Sequence, residues 1–332
     1  MPRVSIIISN FNGARFLPRL FQSLREQRGV ETELIVVDRQ STDGSAELLA
    51  AEPGIVVLTE PPETGLVAGY HAGSARATAD LLFFCNEDMW FDPDCLQRLA
   101  ERIDLPNRVG ATDPWQWTYD GSEWIHGGTR FLPARWALNS PEPRRAADFR
   151  VPLPAGEVIP FPCAGAVMIH RDVYRELGGW DTSFFLDHED TDLFLRAWQR
   201  GWRSVVVPEA KVYHAVNASN VQTLTSIQVT VSQRRYVSQR ANLGVIAVKY
   251  FSWQALPWAA LNWPAVVLNN LSKGRWSFVS RDFQVLRELV RRLPAAWRFR
   301  QANTGYNYYY PGEQFFRVPE FSAPCRSGPE PR

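Results

Sequence analysis

The sequence predicts an α/β fold built on a mostly parallel sheet, and three observations support this prediction. Continuous apolar runs such as Val4–Ser9 and Leu81–Cys85 are typical of strands that are buried on both faces. The segments between such runs carry apolar residues at helical spacing, as at positions 16–24. Turn-forming pairs such as Asn12-Gly13 separate the two kinds of segment. This alternation predicts right-handed crossovers, with ligands bound beyond the carboxyl ends of the strands.

The individual elements follow in order from the same patterns. The predicted strands are Val4–Ser9, Leu34–Val37, Ile55–Leu58, Leu81–Cys85, Ala164–Ile169 and Val205–Val207. The predicted helices are 16–24, Ser45–Ala51, Gly65–Ala79 and Asp192–Arg200, with a hairpin around Asp120-Gly121. Pro208 is expected to stop the last strand, because proline has no backbone N–H to donate. Beyond about residue 235 the chain is expected to be helical and basic.

Composition excludes several classes of protein. The formal net charge of +1 gives no overall field that would attract a nucleic acid. The four cysteines form no CxxC pair, so neither a zinc site nor a disulfide framework is expected. The chain enters its first strand directly, without the pattern of a signal peptide, which makes the cytoplasm the expected location.

One uncharged stretch, Tyr250–Ser272, raises the question of whether the chain spans or contacts a membrane. Its prolines and asparagines disfavour a helix that spans the bilayer and favour an interfacial or core-packed segment. The arginine-rich segment that follows is compatible with two interpretations. It could lie against anionic lipid or a lipid-linked acceptor on the cytoplasmic face of the inner membrane, or it could be a solvated basic face.

Two acidic clusters are the strongest candidates for chemistry. Asn86-Glu87-Asp88 directly follows a buried strand, where carboxylates could hold Mg²⁺ and a diphosphate, although a plain turn explains them too. Asp187–Asp192 holds four carboxylates in six residues, and capping a helix accounts for only one or two of them. Their crowding should raise at least one pKa, which suits a general base. His214 is either a metal ligand or a core residue.

These segments together resemble family 2 of the glycosyltransferases, with the GT-A fold, and especially its bacterial rhamnosyltransferase-like branch. The matching stretches are VSIIISNFN (4–12), LIVVD…STDGS (34–45), ADLLFFCNEDMWFDP (79–93), GAVMIHRDVYRELGGWDTSFF (165–185) and EDTDLFLRAWQRGWRSVVVPEAKVYH (189–214). The resemblance implies inverting transfer of a sugar, from a UDP- or dTDP-linked donor, to a hydroxyl of a saccharide, lipid-linked or small-molecule acceptor. Synthesis of cell-envelope polysaccharide is the implied setting.

The resemblance also implies roles for individual residues. Asp190 would be the catalytic base, with Glu189 and Asp192 in support. A divalent cation, Mg²⁺ or Mn²⁺, would be held by Asp88 and His214, and Trp180 and Asp181 would line the acceptor side. The donor site would comprise Ser9, Asn10, Asn12, Asp38, Asp43, Gly65, Asn86, Glu87 and Asp88.

The same resemblance divides the chain into parts. The catalytic domain is expected at 1–235, with a nucleotide-sugar-binding half (1–110) and an acceptor half (111–235). A helical extension (236–302) and an extended tail (303–332) would follow.

Four positions depart from the family pattern and bear on the identity of the donor. Arg39, Glu63 and His71 stand where the family commonly has asparagine, and Asn86 replaces the first carboxylate of the DxD motif. Two other functions therefore stay open. One is a sugar-phosphate nucleotidyltransferase, since residues 127–133 resemble a GxGTRxxP signature; the other is a non-catalytic sugar-binding scaffold. Trp115, Trp117, Trp124 and Trp136 could stack on sugars or pack a hairpin.

Overall fold

A computed structural model of the chain describes residues 1–127, 158–159, 162–215, 233–250 and 256–303. Its strands are β1 (Arg3–Asn10), β2 (Glu31–Asp38), β3 (Ile55–Thr59), β4 (Leu81–Asn86), β5 (Met89–Phe91), β6 (Val109–Thr118), β7 (Trp124–His126), β8 (Val158–Ile159), β9 (Ala166–His170) and β10 (Arg203–His214). Its helices are α1 (Leu17–Arg25), α2 (Ser45–Ala51), α3 (Gly65–Arg76), α4 (Cys95–Ala100), α5 (Arg171–Glu176), α6 (Glu189–Gln199), α7 (Gln233–Tyr250), α8 (Leu256–Ser272) and α9 (Trp276–Ala302). The expected tail from residue 304 lies outside the described residues.

The strands form one sheet in the order β3-β2-β1-β4-β9-β6-β10-β5. The first four of these neighbours pair in parallel, as the apolar runs predict. From β1 the chain first adds β2 and β3 on one side of this strand and then crosses over to add β4 on the other side. Such a switch in strand order opens a crevice beyond the carboxyl ends of the strands. Ser9, Asn10, Asp38 and Asn86 end these strands and therefore meet at this crevice.

Strand β9 runs antiparallel to both β4 and β6, which makes the sheet mixed. Because of this reversal, the start of β9 lies beside the end of β4, where Ala166 pairs with Cys85. The end of β6 lies at the same edge. The second half of the chain thus contributes its own residues to the crevice formed by the first half.

Two element boundaries differ from the sequence predictions. The last strand does not stop at Pro208 but continues as β10 to His214, because a register shift between Val207 and Lys211 takes the proline out of the ladder. Helix α6 begins at Glu189 rather than Asp192, so the acidic cluster occupies the first helical turn. The dipole at a helix N-terminus stabilises negative charge in that turn.

The core lies on both faces of the sheet. Helices α1, α2 and α4 cover one face, and helices α3, α6, α7 and α9 cover the other. The two glycines within α3 let the helix lie directly on β1: a Cβ at Gly69 would stand 2.3 Å from Ser9 Oγ, and one at Gly73 would stand 2.4 Å from Ile7. These glycines therefore set how close α3 comes to the crevice.

Helices α7 and α9 pack on the helices that cover one face of the sheet, with α9 lying along α7. Val245, Ile246 and Tyr250 of α7 are buried in the same cluster as α6. The C-terminal part of the uncharged stretch forms helix α8. Among the described helices, none has the length and apolar character needed to cross a bilayer.

Candidate functional site

The first part of the crevice is a polar cradle around Asp38. Asn10 Nδ2 donates to Asp38 Oδ1 over 2.7 Å, and the backbone N–H of Ser41 donates to Oδ2 over 3.0 Å. The Asp38 side chain is buried, so these hydrogen bonds hold the carboxylate in one orientation at the end of β2. This geometry can present a fixed acceptor to a base or ribose.

A second carboxylate, Asp43, ties the turn after β2 to the turn after β1. Its Oδ2 accepts from the backbone N–H of Ala14 over 2.9 Å, and Oδ1 accepts from Ser45 Oγ over 2.6 Å. Burial alone would raise the pKa of Asp43, but these hydrogen bonds outweigh it and lower the pKa. Asn12 joins the same two turns, since its Oδ1 accepts from the N–H of Thr42 over 2.9 Å.

Gly65 begins α3 at the other wall of the crevice, in a conformation that only glycine adopts readily. Its φ is +84° with ψ of 178°. A Cβ here would stand 2.5 Å from the carbonyl oxygen of Phe185. The backbone N–H of Leu66 donates to that same oxygen over 3.1 Å, so α3 and the segment before α6 are joined at this point.

We expect Gly65→Ala to lower the free energy of unfolding by about 3 kcal/mol, because backbone strain of about 1–3 kcal/mol adds to the collision with Phe185. Gly178→Ala is the matched control: its φ is +80°, but nothing lies within 4 Å of the added Cβ. That variant should lose only about 1 kcal/mol. Urea unfolding of both variants measures the difference, and equal losses would show that the approach of Phe185 is unimportant.

Asp88 and His214 are brought face to face by the antiparallel pairing of β5 with β10. Asp88 Oδ1 lies 3.2 Å from His214 Nε2. On the other side of the ring, His214 Nδ1 lies 3.1 Å from the amide oxygen of Gln116, an atom that can only accept. In a neutral ring, donation from Nδ1 to this oxygen would leave the Nε2 lone pair directed at Asp88.

This pair fits a divalent cation. Asp88 Oδ1 is buried and accepts no hydrogen bond, so the His214 ring 3.2 Å away is the partner that it faces. Two ligands at a right angle on an ion with bonds of about 2.1 Å are separated by about 3 Å, close to the observed spacing. The described residues contain no group of three or more His, Cys, Asp or Glu side chains suited to a metal. The remaining ligands would thus come from a diphosphate and water, as is usual for Mg²⁺.

Glu87 and Arg39 lie together on the donor side. Burial and the adjacent charge of Asp88 raise the pKa of Glu87 to about 7, with Arg39 opposing this rise. The Arg39 guanidinium stacks over Phe11, 4.9 Å from the ring centroid, and its Nε is buried without a hydrogen-bond partner. The departure from asparagine at position 39 therefore places a cation inside the crevice.

Residues 163–165 form a bridge between the two halves of the site. The carbonyl oxygen of Gly165 accepts from the N–H of Asn86 over 2.9 Å, and the N–H of Ala164 donates to Asp190 Oδ2 over 3.4 Å. The buried hydroxyl of Tyr70 lies 2.9 Å from Asn86 Oδ1 and 3.1 Å from the Ala164 carbonyl oxygen. The end of β4 and the first turn of α6 are thus linked through one short loop.

Asp190 and Glu189 differ sharply in environment. Asp190 is partly exposed, and its Oδ1 accepts from the N–H of Thr191 over 2.6 Å. Glu189 is 6% exposed, and burial together with the charge of Asp190 raises its pKa well above the usual value. Asp190 is therefore the member of the pair that can meet a ligand as a carboxylate, while Glu189 favours its protonated form.

Helix α7 holds the turn that leads into α6. Asp187 and His188 both have a φ of +67°, an uncommon backbone for residues with side chains. Asn242 Nδ2 donates to the carbonyl oxygens of Leu186 and Asp187 over 3.0 and 2.6 Å. The Arg235 guanidinium binds the Asp187 carboxylate over 3.1 Å. The helical extension thereby fixes the direction in which Asp190 points.

Asp192 has both oxygens engaged within the protein. Arg196 donates twice to Oδ2, over 3.0 and 2.7 Å, while Lys249 and Tyr250 donate to Oδ1. Burial alone would raise the pKa of Asp192, but the two cations lower it. Asp192 therefore has no free oxygen for a ligand, and its contacts hold the first turn of α6 in place.

The two residues expected on the acceptor side lie deeper than a direct contact requires. The Trp180 side chain is only 2% exposed and packs on Tyr70 and Phe84, so its ring faces the core rather than the crevice. Asp181 binds Lys249 over 2.9 Å; burial opposes ionisation, yet this cation lowers the pKa of Asp181 to about 2. In this structure Trp180 packs in the core and Asp181 is held by Lys249, so neither is free to contact a ligand directly.

A buried pair that the sequence analysis missed lies beside Asp190. Asp113 of β6 lies 3.4 Å from His126 Nε2 of β7, and its Oδ1 accepts from the N–H of Cys163. Burial opposes a charged imidazole, but Asp113 and Asp190 raise the pKa of His126. No local motif marks these residues, because only the pairing of β6 with β7 brings them together.

The tryptophans of this region pack on one another. Trp115 contacts Trp117 and Trp124, with centroids 6.5 and 6.0 Å apart. This arrangement favours hairpin packing for these three. Trp136 and residues 128–133 of the GxGTRxxP-like stretch lie outside the described residues.

Residues 5–178 match the family model described as Glycosyl transferase family 2. The chain belongs to glycosyltransferase family 2. The resemblance inferred from the motifs is thereby confirmed. The match covers more than half of the chain, from β1 through the bridge loop to α5.

A family relative is the N-acetylglucosaminyl-diphospho-decaprenol L-rhamnosyltransferase of Mycobacterium tuberculosis. It is 26% identical over 225 residues, which cover 60% of this chain and 70% of the relative.

Two solved structures share the GT-A fold. The mannosyltransferase PcManGT from Pyrobaculum calidifontis, in complex with GDP-Man and Mn²⁺, aligns with a TM-score of 0.53 at 16% identity, covering 88% of this chain and 87% of that one. GalNAc-T7, solved with UDP, GalNAc and Mn²⁺, aligns with a TM-score of 0.58 at 17% identity over 76% of this chain. The alignment spans 49% of the GalNAc-T7 chain, about half of its length.

Proposed function

We propose that this chain is an inverting glycosyltransferase that moves a sugar from a UDP- or dTDP-linked donor to a hydroxyl of a saccharide or lipid-linked acceptor. One observation carries the proposal: the bridge loop 163–165 joins the end of β4, next to Asp88, to the carboxylate of Asp190. A group that binds a leaving diphosphate and a group that can accept a proton thus flank one crevice.

The nucleoside would lie over the strand ends, with Asp38 and the turn held by Asp43 as its contacts. Both carboxylates are already oriented by hydrogen bonds, so little ordering is needed when the ligand binds. Ser9 Oγ, Asn10 Oδ1 and Arg39 Nε are buried here without partners. Unpaired buried polar atoms are costly, and a bound nucleotide would pair them.

The divalent cation would be held by Asp88 and His214, and the two structural neighbours named above were solved with Mn²⁺. When bound, it neutralises the charge that builds on the leaving diphosphate. Gln116 keeps the Nε2 lone pair of His214 free for this purpose. Arg39 adds a fixed positive charge on the same side of the crevice.

We expect Mn²⁺ to raise the affinity of the unaltered chain for a nucleoside diphosphate. In Asp88→Asn this gain should be smaller by about tenfold or more, because an amide is a weaker ligand than a carboxylate. His214→Gln should act in the same direction. Asp80→Asn is the matched control, since its side chain is 89% exposed. Calorimetric titration with and without Mn²⁺ measures the effect. An undiminished gain in Asp88→Asn would show that Asp88 and His214 do not hold the metal.

Asp190 would accept the proton of the acceptor hydroxyl as that oxygen attacks the anomeric carbon. The bond to the nucleoside diphosphate breaks on the opposite face, so a single displacement inverts the configuration. Glu189 favours its protonated form beside Asp190, which keeps a second full negative charge away from the base. The acceptor would approach from the side of β6 and β7, where His126, whose side chain is 22% exposed and is backed by the buried Asp113, offers a polar contact.

The named relative acts on a lipid-linked acceptor, which supports a role in cell-envelope polysaccharide synthesis at the cytoplasmic face of the membrane. The reaction is tested by incubating the chain with UDP- and dTDP-sugars and an acceptor panel. Proton NMR of the product reads the anomeric configuration. An inverted linkage with release of nucleoside diphosphate is expected. A retained configuration, or release of pyrophosphate from a nucleoside triphosphate and a sugar phosphate, would contradict the proposal.

A further inference from the structure

The outer face of α9 carries large apolar side chains that stay more than half exposed, although the Phe283 ring also contacts Trp263 of α8. Trp276, Phe283 and Val290 are 70%, 56% and 54% exposed. They recur every seven residues, and at about 100° per residue they lie within about 40° of one another around the helix. The opposite face of α9 is buried through Val285, Arg292, Ala296 and Arg300. The exposed residues therefore form one line, called here the α9 stripe.

The α9 stripe is unusual for the surface of this protein. Five of the eight large apolar residues that are exposed in the described ranges lie on α8 and α9. Leu268 of α8, 64% exposed, is among them. Single exposed apolar residues are ordinary, but an aligned set with two aromatic rings indicates a surface that binds something.

Positive charge accompanies the stripe along its length. Arg287, Arg291 and Arg298 are exposed on the edge next to it, and Lys273 and Arg275 lie at its start. The acidic residues of α9 are Asp282, which is 1% exposed, and Glu288, which binds Arg291 over 2.6 Å. The net charge of this face is therefore positive.

A cavity of about 590 Å³ opens beside the same edge. Arg287 and Arg291 belong both to the rim of this cavity and to the edge of the stripe. The opposite walls come from Thr182, Ser183 and Phe185 and from Glu63–Thr64, next to Gly65 at the start of α3. Whatever the α9 stripe contacts thus lies close to a cavity that borders the donor crevice.

We infer that the α9 stripe docks on an anionic phospholipid membrane. Trp276, Phe283 and Val290 enter the headgroup region, and the flanking arginines bind lipid phosphates. Large apolar side chains in a line with cations beside them match such an interface in both polarity and charge. A second copy of the chain would instead bring a face of the same sign against this one. Docking in this way opens the cavity at the headgroup layer.

Sedimentation with vesicles tests this inference independently of the catalytic assignment, because it needs neither donor nor acceptor. The full chain is expected to bind vesicles of phosphatidylcholine with phosphatidylglycerol, and to bind far less to phosphatidylcholine alone. Added salt should weaken the binding, since exposed charges are screened. Trp276→Ser/Val290→Ser should bind about tenfold more weakly, because buried apolar groups contribute about 0.8 kcal/mol per CH₂. Arg287→Gln/Arg298→Gln should lose about 1 kcal/mol per arginine, which is about fivefold for each.

Leu48→Ser is the matched control, because Leu48 is an exposed apolar residue of α2 outside the stripe. It should bind like the unaltered chain, and thermal unfolding confirms that every variant is folded. Failure of the full chain to bind anionic vesicles would overturn the inference. So would equal binding by the stripe variant and the unaltered chain. Binding only after removal of residues 304–332, or loss of a dimer in the stripe variant, would assign the stripe to another occupant.

Discussion

Asp190→Asn is expected to lower the rate of sugar transfer by about 10²–10⁴-fold, the usual contribution of a positioned general base. Asparagine keeps the shape of the side chain, and its oxygen can still accept from the N–H of Thr191 or Ala164. The fold and the donor crevice should therefore persist. Initial rates of nucleoside diphosphate release, measured with saturating donor and acceptor, give the size of the loss.

The control for this variant is Asp172→Asn, since the Asp172 side chain is 76% exposed and lies on α5, away from the crevice. It should leave the rate unchanged. Nucleoside diphosphate affinity of Asp190→Asn should stay within about twofold of the unaltered chain, because the loss belongs to the transition state. Near-normal turnover by Asp190→Asn would show that Asp190 is not the base, and the Asp113–His126 pair would become the next candidate.

Lys249→Met is expected to lower the free energy of unfolding by about 3 kcal/mol. Its ammonium group contacts the carboxylates of both Asp181 and Asp192, and the side chain of Asp192 is fully buried. Removing one partner of a buried ion pair costs about 3–5 kcal/mol, because the remaining charge is left uncompensated. Arg196 still binds Asp192, which places the expectation at the lower end of that range.

The pH dependence of this loss has a definite sign. Folding lowers the pKa of both carboxylates, to about 2 for Asp181, so their contribution to stability is present above the ordinary pKa of about 4 and is lost as the pH falls through the lowered values. The difference between Lys249→Met and the unaltered chain should shrink over that interval. Lys273→Met, at an exposed lysine, should change stability by less than about 0.5 kcal/mol. Equal denaturation midpoints for the two variants would show that the buried network is unimportant.

The parallel half of the fold could be predicted from the sequence because its strands are short apolar runs that need cover on both faces. The direction of β9 could not, since its sequence, AVMIH, fits a parallel or an antiparallel neighbour equally well. The continuation of β10 past Pro208 depends on a bulge against β6, which no local pattern announces. Both features are set by which strand lies alongside.

The candidate site divides in the same way. Asp38 and Asp88 could be named because they follow predicted strands, and Asp190 because it belongs to a crowded acidic cluster that matches the family pattern. The partners that orient them are distant in sequence: Lys249 lies 57 residues from Asp192, and Gln116 lies 98 residues from His214. Trp180 was expected beside the acceptor because its segment resembles an acceptor loop. The structure instead packs its ring beneath Tyr70.

Calorimetric titration of the purified chain with UDP, dTDP and GDP, each with and without Mn²⁺, tests the proposed donor site most directly. The proposed function predicts binding of a uridine or thymidine diphosphate, strengthened by Mn²⁺ in the unaltered chain and much less in Asp88→Asn. Absence of binding by every nucleotide, with or without Mn²⁺, would contradict it. In that case the altered positions Arg39, Glu63 and His71 would mark a crevice that no longer accepts a nucleotide sugar.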